Sequence, residues 1–142
     1  MHYNLIRFIN AHNTYYKDAL LQIKKGQKTS HWIWFIFPQI KGLGKSQESI
    51  VYSISSIEEA RDFYNHPILG CNLKEISREL LQHSKESIFK IMGSFLDAKK
   101  VCSSMTLFYI ATKDPLFKEI IDTFFFNTFD YTTLTLLNKS KP

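Results

Sequence analysis

Cysteine is scarce in this chain, which carries just Cys71 and Cys102. Neither has a second cysteine at CxxC spacing or a histidine at ligand spacing, so the pattern of a disulfide framework or a zinc site is missing. Both sit among apolar neighbours at helical spacing, which predicts two reduced core thiols; Lys99 and Lys100 stand near Cys102, but burial outweighs a reactive thiolate. The five histidines, at 2, 12, 31, 66 and 83, form no HxH or HxxxH pair, and no acidic pair joins them locally. No metal and no cofactor are expected.

Long apolar runs are absent too. The most apolar stretch, Trp32 to Phe37, ends at Pro38 and meets Lys41 soon after, far short of the roughly 18 residues of a membrane helix. No membrane partner is expected. The opening residues, Met1 to Arg7, lack the charged, apolar and small-residue segments of a secretory signal, and the expected location is the cytoplasm. The formal charge of +5 favours anionic partners. Yet Glu48, Glu58, Glu59, Glu75, Glu79 and Glu86 interrupt the lysines, and without an Arg-rich stripe or a nucleic-acid motif the chain is not read as a nucleic-acid binder.

What is present is a core. Hydrophobic residues make up 44% of the 142 and aromatic residues 15%, including 12 Phe and 7 Tyr, too much apolar surface for a disordered chain. The length suits one domain spanning residues 1–142. Apolar residues from Tyr3 to Lys25 recur at spacings of three and four, which predicts a long amphipathic helix stopped at Gly26. Lys45 to Ile54 reads as a short helix, and Ser56-Ile-Glu-Glu59 as a capping box opening another to about Asn65. Pro67 is placed at the first position of a helix running to about Gln82. Ser87 to Met92, closed by Gly93, gives another turn or two. Ser94-Phe-Leu-Asp97 caps a helix from about Ala98 to Thr112, Asp114-Pro115 starts the next, and Asp130 caps a last one through Leu137. The tail 138–142 is expected to fray. The fold class is therefore all-α, a compact bundle of eight or nine mostly short helices.

The tract Ser30-His-Trp-Ile-Trp-Phe-Ile-Phe-Pro-Gln39 is ambiguous by periodicity, since its residues also suit a buried strand. No second strand-like stretch with hairpin signals is available to pair with it, and a lone strand leaves its backbone unsatisfied, so a short buried helix is the better reading. Lys28-x-x-His31-Trp-Ile-Trp-Phe-Ile-Phe-Pro-Gln39, followed by Gly42-Leu-Gly-x-Ser46, resembles a bacterial family of uncharacterised helical proteins that often carry the misleading label calpastatin. The likeness runs from Arg7 almost to Leu137. It takes in Tyr52, Glu59-Ala60, His66-Pro67-x-Leu-Gly70, Asp97-x-x-Lys100, Ser103-Ser-Met-Thr-Leu-Phe108 and Asp130-x-x-Thr133-Leu134. Departures are Ile33 for the usual Met, His12 for Gln, Asn127 for Gly, and one extra residue between Gly93 and Asp97. The resemblance implies an all-helical fold and brings no activity, substrate or cofactor. Calpain inhibition is not inherited, because inhibitors of that kind are disordered.

Several residues carry candidate chemistry. His31 is the natural acid or base, weighed against a histidine merely satisfied by a carbonyl. Trp32 and Trp34 offer stacking faces, although helical spacing sends at most two of the four tract aromatics toward a pocket. Gly42, Gly44, Lys45 and Ser46 bring amides, a cation and a hydroxyl to a helix start, without the spacing of a Walker loop. Asp97, Lys100, Ser103 and Ser104 share a helix, with Lys100 and Ser104 on one face. Asp130 is first a cap and second a carboxylate for a ribose or a base. Together with Lys28 as a phosphate contact, these residues suggest a site for an anionic, planar-ringed ligand such as a nucleotide or ADP-ribose-type compound, with hydrolysis as its further extension. The competing reading is a non-catalytic protein–protein interaction module whose aromatic tract is simply core. Convergence of His31, Trp32, Lys100 and Ser104 on one cavity separates the two.

Overall fold

Apolar spacing decides most of the architecture. The computed structural model describes residues 4–139, and among these the chain forms nine helices: α1 (Ile6–Lys24), α2 (Ile33–Ile36), α3 (Gln47–Val51), α4 (Ile57–Asn65), α5 (Leu69–Leu81), α6 (Ile88–Met92), α7 (Phe95–Thr112), α8 (Pro115–Phe124) and α9 (Tyr131–Lys139). Helix α7 is the centre. Every residue from Val101 to Phe108 is buried, as befits a helix apolar on all sides, and α2, α4, α6, α8 and α9 all pack against it. Helix α5 joins α1, α4 and α8 on the far side. Phe8, Phe63, Phe108 and Phe117 run through the core as a chain of tilted or edge-on ring contacts.

Local capping sets the helix starts. Ser56 Oγ accepts from the Glu59 amide while Glu59 Oε1 accepts from the Ser55 amide, which closes the predicted box. Ser94 Oγ likewise accepts from the Asp97 amide, so α7 begins at Phe95, three residues ahead of the predicted Ala98. Pro67 is not a first helical residue. The His66 Nδ1 accepts from both the Ile68 and Leu69 amides, and α5 starts after that cap, at Leu69. Asn138 and Lys139 belong to α9, while 140–142, the rest of the tail expected to fray, lie outside the described residues.

The aromatic tract is mostly irregular. Its helix is one turn long, with Trp32 preceding it at φ −142° and Phe37 leaving it at φ −121°. One side chain organises its entry: Gln22 Oε1 accepts from the amides of Thr29 and Ser30 and from the Trp32 indole N–H, while Gln22 Nε2 donates to Ser30 Oγ. After the tract, a single parallel bridge between Ile40 and Ile54 closes the segment 41–53 at its base, through Lys41 N–H to Ile54 O and Ile54 N–H to Gln39 O, both 2.8 Å. Arg7 reinforces this base by donating to the carbonyls of Val51 and Ser53 and to Glu59.

Cys102 is buried as predicted, but Cys71 is exposed, on the solvent face of α5. Its apolar neighbours in sequence, Leu69 and Leu73, take the core face two residues to either side, which turns Cys71 outward. No helix among the described residues is long and apolar enough to cross a membrane.

Candidate functional site

The closed segment 41–53 lies over one flank of α7 and the start of α9, and the space between them is a cleft of about 420 Å³. Gly44, Lys45, Ser46 and Ser49 form one wall, Lys99, Lys100 and Ser103 the other, and Asp130 and Thr132 the end; Leu43 and Leu96 add apolar edges. Lysines from both sides face a common space with Asp130, and Lys100 also lies 3.6 Å from Asp97, which it shares with Lys28. Such an arrangement favours an anion, because facing cations raise the local potential without a matching number of acids.

Gly44 is required by this geometry. A Cβ there would stand 2.3 Å from the Ser49 Cβ, so any larger residue forces the Ser49 side chain and its segment to shift. Ser49 in turn is held by Ser46, whose Oγ accepts from the Ser49 amide and donates to the Ser49 hydroxyl. Ser46 therefore acts first as the cap of α3, a five-residue helix too short to offer much of a dipole. The attraction for an anion rests on the lysines and hydroxyls and owes little to a helix terminus. Gly42 is outside the cleft and leans on Leu136, with φ +106° that glycine tolerates.

The remaining predicted residues part company. His31 is exposed and lines a separate shallow depression of about 250 Å³ with Lys28, Ser30, Gly93, Ser94 and Asp97. Trp32 is 1% exposed and spends its indole N–H on Gln22, so it is core and no stacking platform. The reason is local: Trp32 lies before the helical turn, where wheel geometry does not apply. Trp34 is half-buried against the core and absent from the cleft. Ser104 is wholly buried and its hydroxyl finds no partner; on α7 it is Ser103, three residues from Lys100, that shares the lysine's face. His31, Trp32, Lys100 and Ser104 thus fail to meet in one cavity.

Asp97 stands between the two depressions. One carboxylate oxygen lies 2.8 Å from the Lys28 ammonium and the other 3.6 Å from Lys100. Asp130 caps α9 by accepting from both the amide and the hydroxyl of Thr133, while its own amide donates to Thr106. Its neighbour Cys102 is inert, since burial first and the Asp130 charge second push the thiol up to about 11. No three His, Cys, Asp or Glu side chains among the described residues are grouped to hold a metal ion.

Sequence reasoning passed over Gln39, Ser49, Lys99 and Thr132, all of which line the cleft. For Lys99 a signal existed, because it adjoins Lys100 and lies four residues before Ser103. For the others none did, since their placement depends on how segment 41–53 folds back.

An all-helical domain wrapped round a buried central helix, with an open cationic cleft on its flank, is the class that fold and site define. The chain belongs to the family described as protein of unknown function (DUF1810), which matches residues 2–137. It is similar to the crystal structure of the conserved hypothetical protein Rv1873 from Mycobacterium tuberculosis, with 38% identity, a TM-score of 0.91, and coverage of 94% of this chain and 96% of that one. No curated protein matches it.

Proposed function

We propose that this protein binds a small phosphate-bearing anion, of the nucleotide or ADP-ribose class, in the cleft between segment 41–53 and α7. The observation that carries this reading is the placement of Lys45 on one wall opposite Lys99 and Lys100 on the other, with Ser46, Ser49 and Ser103 supplying hydroxyls. A volume of about 420 Å³ lies in the range of small-ligand sites. Leu43 and Leu96 supply the apolar faces against which a ring can rest, taking over the part first assigned to Trp32.

Binding is the function supported; hydrolysis is not built in. Of the acid–base candidates, His31 is in the other depression, Asp97 is committed to two lysines, and Asp130 already caps α9. The test is thermal-shift and calorimetric titration with ADP-ribose, ADP, AMP and inorganic phosphate, in wild type and in Lys45→Ala and Lys100→Ala. The expected result is stabilisation by the phosphate compounds that falls about tenfold in affinity for each lysine removed, in line with a charge-assisted contact of roughly 1.5 kcal/mol. No stabilisation by any of them overturns the proposal.

The second reading, a non-catalytic protein–protein interaction module, is favoured by the failure of His31, Trp32, Lys100 and Ser104 to converge on one cavity.

A further inference from the structure

Exposed apolar side chains are ordinary when scattered, and informative when packed together. At the corner where α6 meets α7, Phe89 is 48%, Phe95 65% and Leu96 67% exposed. Gly93, with φ +82° and its amide donating to Phe89 O, turns the chain so that the two phenyl rings lie parallel at 5.5 Å. The pair is stacked in the free chain. Basic side chains flank it: Lys90 follows Phe89, with its side chain 71% exposed and only a long 3.8 Å contact to Glu86, and Lys99 lies four residues after Phe95 on the same face of α7.

We propose that this corner docks on an anionic lipid surface, with Phe89, Phe95 and Leu96 entering the boundary between headgroups and acyl chains while Lys90 and Lys99 engage lipid phosphates. Aromatic and leucine side chains ringed by lysines are the combination that interfacial segments use. Three alternatives fit less well. A peptide partner wants a groove or a sheet edge, whereas side chains about half to two-thirds exposed stand out of the surface. A second copy of the chain meeting the same patch about a two-fold axis would bring the lysines of both copies to one seam, adding like charge at the contact. A membrane-spanning role is not implied, since no helix among the described residues is long and apolar enough to cross a membrane; the expectation of no membrane partner rested on that same lack of a spanning run and does not bear on a surface dock. The patch borders the cleft, since Leu96 and Lys99 line both, but Phe89, Phe95 and Lys90 lie outside the cleft and substitutions at these three separate the two readings.

The test is co-sedimentation of the full chain with vesicles of phosphatidylserine and phosphatidylcholine in equal parts, and with phosphatidylcholine alone. Binding to the anionic vesicles, weakened by salt and much lower on the neutral ones, is expected. Phe89→Ser/Phe95→Ser should lower the partition at least tenfold, and Lys90→Glu about fivefold or more, given the attraction of each lysine for an anionic surface. Both variants alter exposed positions, and an unchanged melting temperature shows that they fold. Absence of binding to anionic vesicles overturns the proposal, as does binding that both variants retain. A concentration-dependent dimer that Phe89→Ser/Phe95→Ser abolishes, with no vesicle binding, overturns it in favour of self-association.

Discussion

The Lys28 ammonium lies 2.8 Å from Asp97 with its side chain only 7% exposed, and it sits 5.2 Å from the centre of a Trp32 ring. This pair joins the entry of the aromatic tract to the first turn of α7. The Lys28 amide also donates to Ile91 O at 2.7 Å, so backbone and side chain fix the same junction. Removing one partner leaves a nearly buried charge uncompensated. Asp97→Asn should therefore destabilise the fold by about 3 kcal/mol, the lower end for a buried pair because Asp97 keeps some solvent contact. Lys28→Met/Asp97→Leu should recover much of that loss. Urea denaturation of the single and double variants checks both values.

His12 supplies a pH dependence with a definite sign. Its Nε2 lies 2.8 Å from Phe35 O and its Nδ1 3.0 Å from the Asn72 side-chain nitrogen. The first contact requires a proton on Nε2 and the second a lone pair on Nδ1, so the neutral ring fits both and the imidazolium does not. Burial holds the pKa down to about 4. Because the folded value lies below the ordinary 6.5, the contribution is complete above pH 6.5 and is lost as pH falls toward 4. The loss is about 3 kcal/mol when the descent is complete. His12→Gln keeps a donor and an acceptor without titrating. It should flatten the stability profile between pH 6.5 and 4, as read from urea midpoints across that window.

Two glycines test how tightly the chain is threaded. At Gly70 a Cβ would stand 1.8 Å from the Tyr64 carbonyl oxygen, where α4 and α5 cross, and a backbone atom there has nowhere to go. Gly70→Ala should cost more than about 4 kcal/mol or prevent folding. At Gly44 the obstacle is the Ser49 side chain, on an exposed segment that has room to move. Gly44→Ala should cost about 1–3 kcal/mol and should also weaken phosphate binding, because it displaces the wall that carries Lys45 and Ser46. Thermal melting ranks the two, and titration with ADP-ribose reads the second effect.

Legibility in the sequence followed the range of the forces involved. Ser56 with Glu59, and Asp114 with Pro115, act within one helical turn, and both caps stand where the local pattern places them. The His66 ring cap escaped notice because histidine is an unusual residue for that duty. Trp32 stands just ahead of its helical turn, so helical spacing does not report its burial, and the partner of its indole N–H, Gln22, is ten residues away. The cleft was half legible: Lys100, Ser103, Lys45 and Ser46 were singled out from two separate stretches. What brings them together is the bridge between Ile40 and Ile54 and the grip of Arg7 on Val51, Ser53 and Glu59, a long-range closure that leaves no local mark.

The two cysteines should differ sharply toward alkylating reagents. Cys71 is exposed on α5, whereas Cys102 is buried on α7, with its thiol 3.7 Å from Thr128 O and its ionisation pushed up to about 11 by burial and by Asp130. Only the thiolate attacks iodoacetamide, so at pH 8 Cys102 has roughly one thousandth of its population in reactive form even before access is considered. Native protein should take up one label, on Cys71, and the second only in denaturant. Mass spectrometry of labelled protein counts them, and rapid double labelling of the native chain would contradict the packing of α7 against the turn before α9. Since Asp130 lies at the end of the cleft, the rate of Cys102 labelling also reports on the site. A ligand that rigidifies the junction of α7 and α9 should slow it further, whereas one bound elsewhere should leave it unchanged.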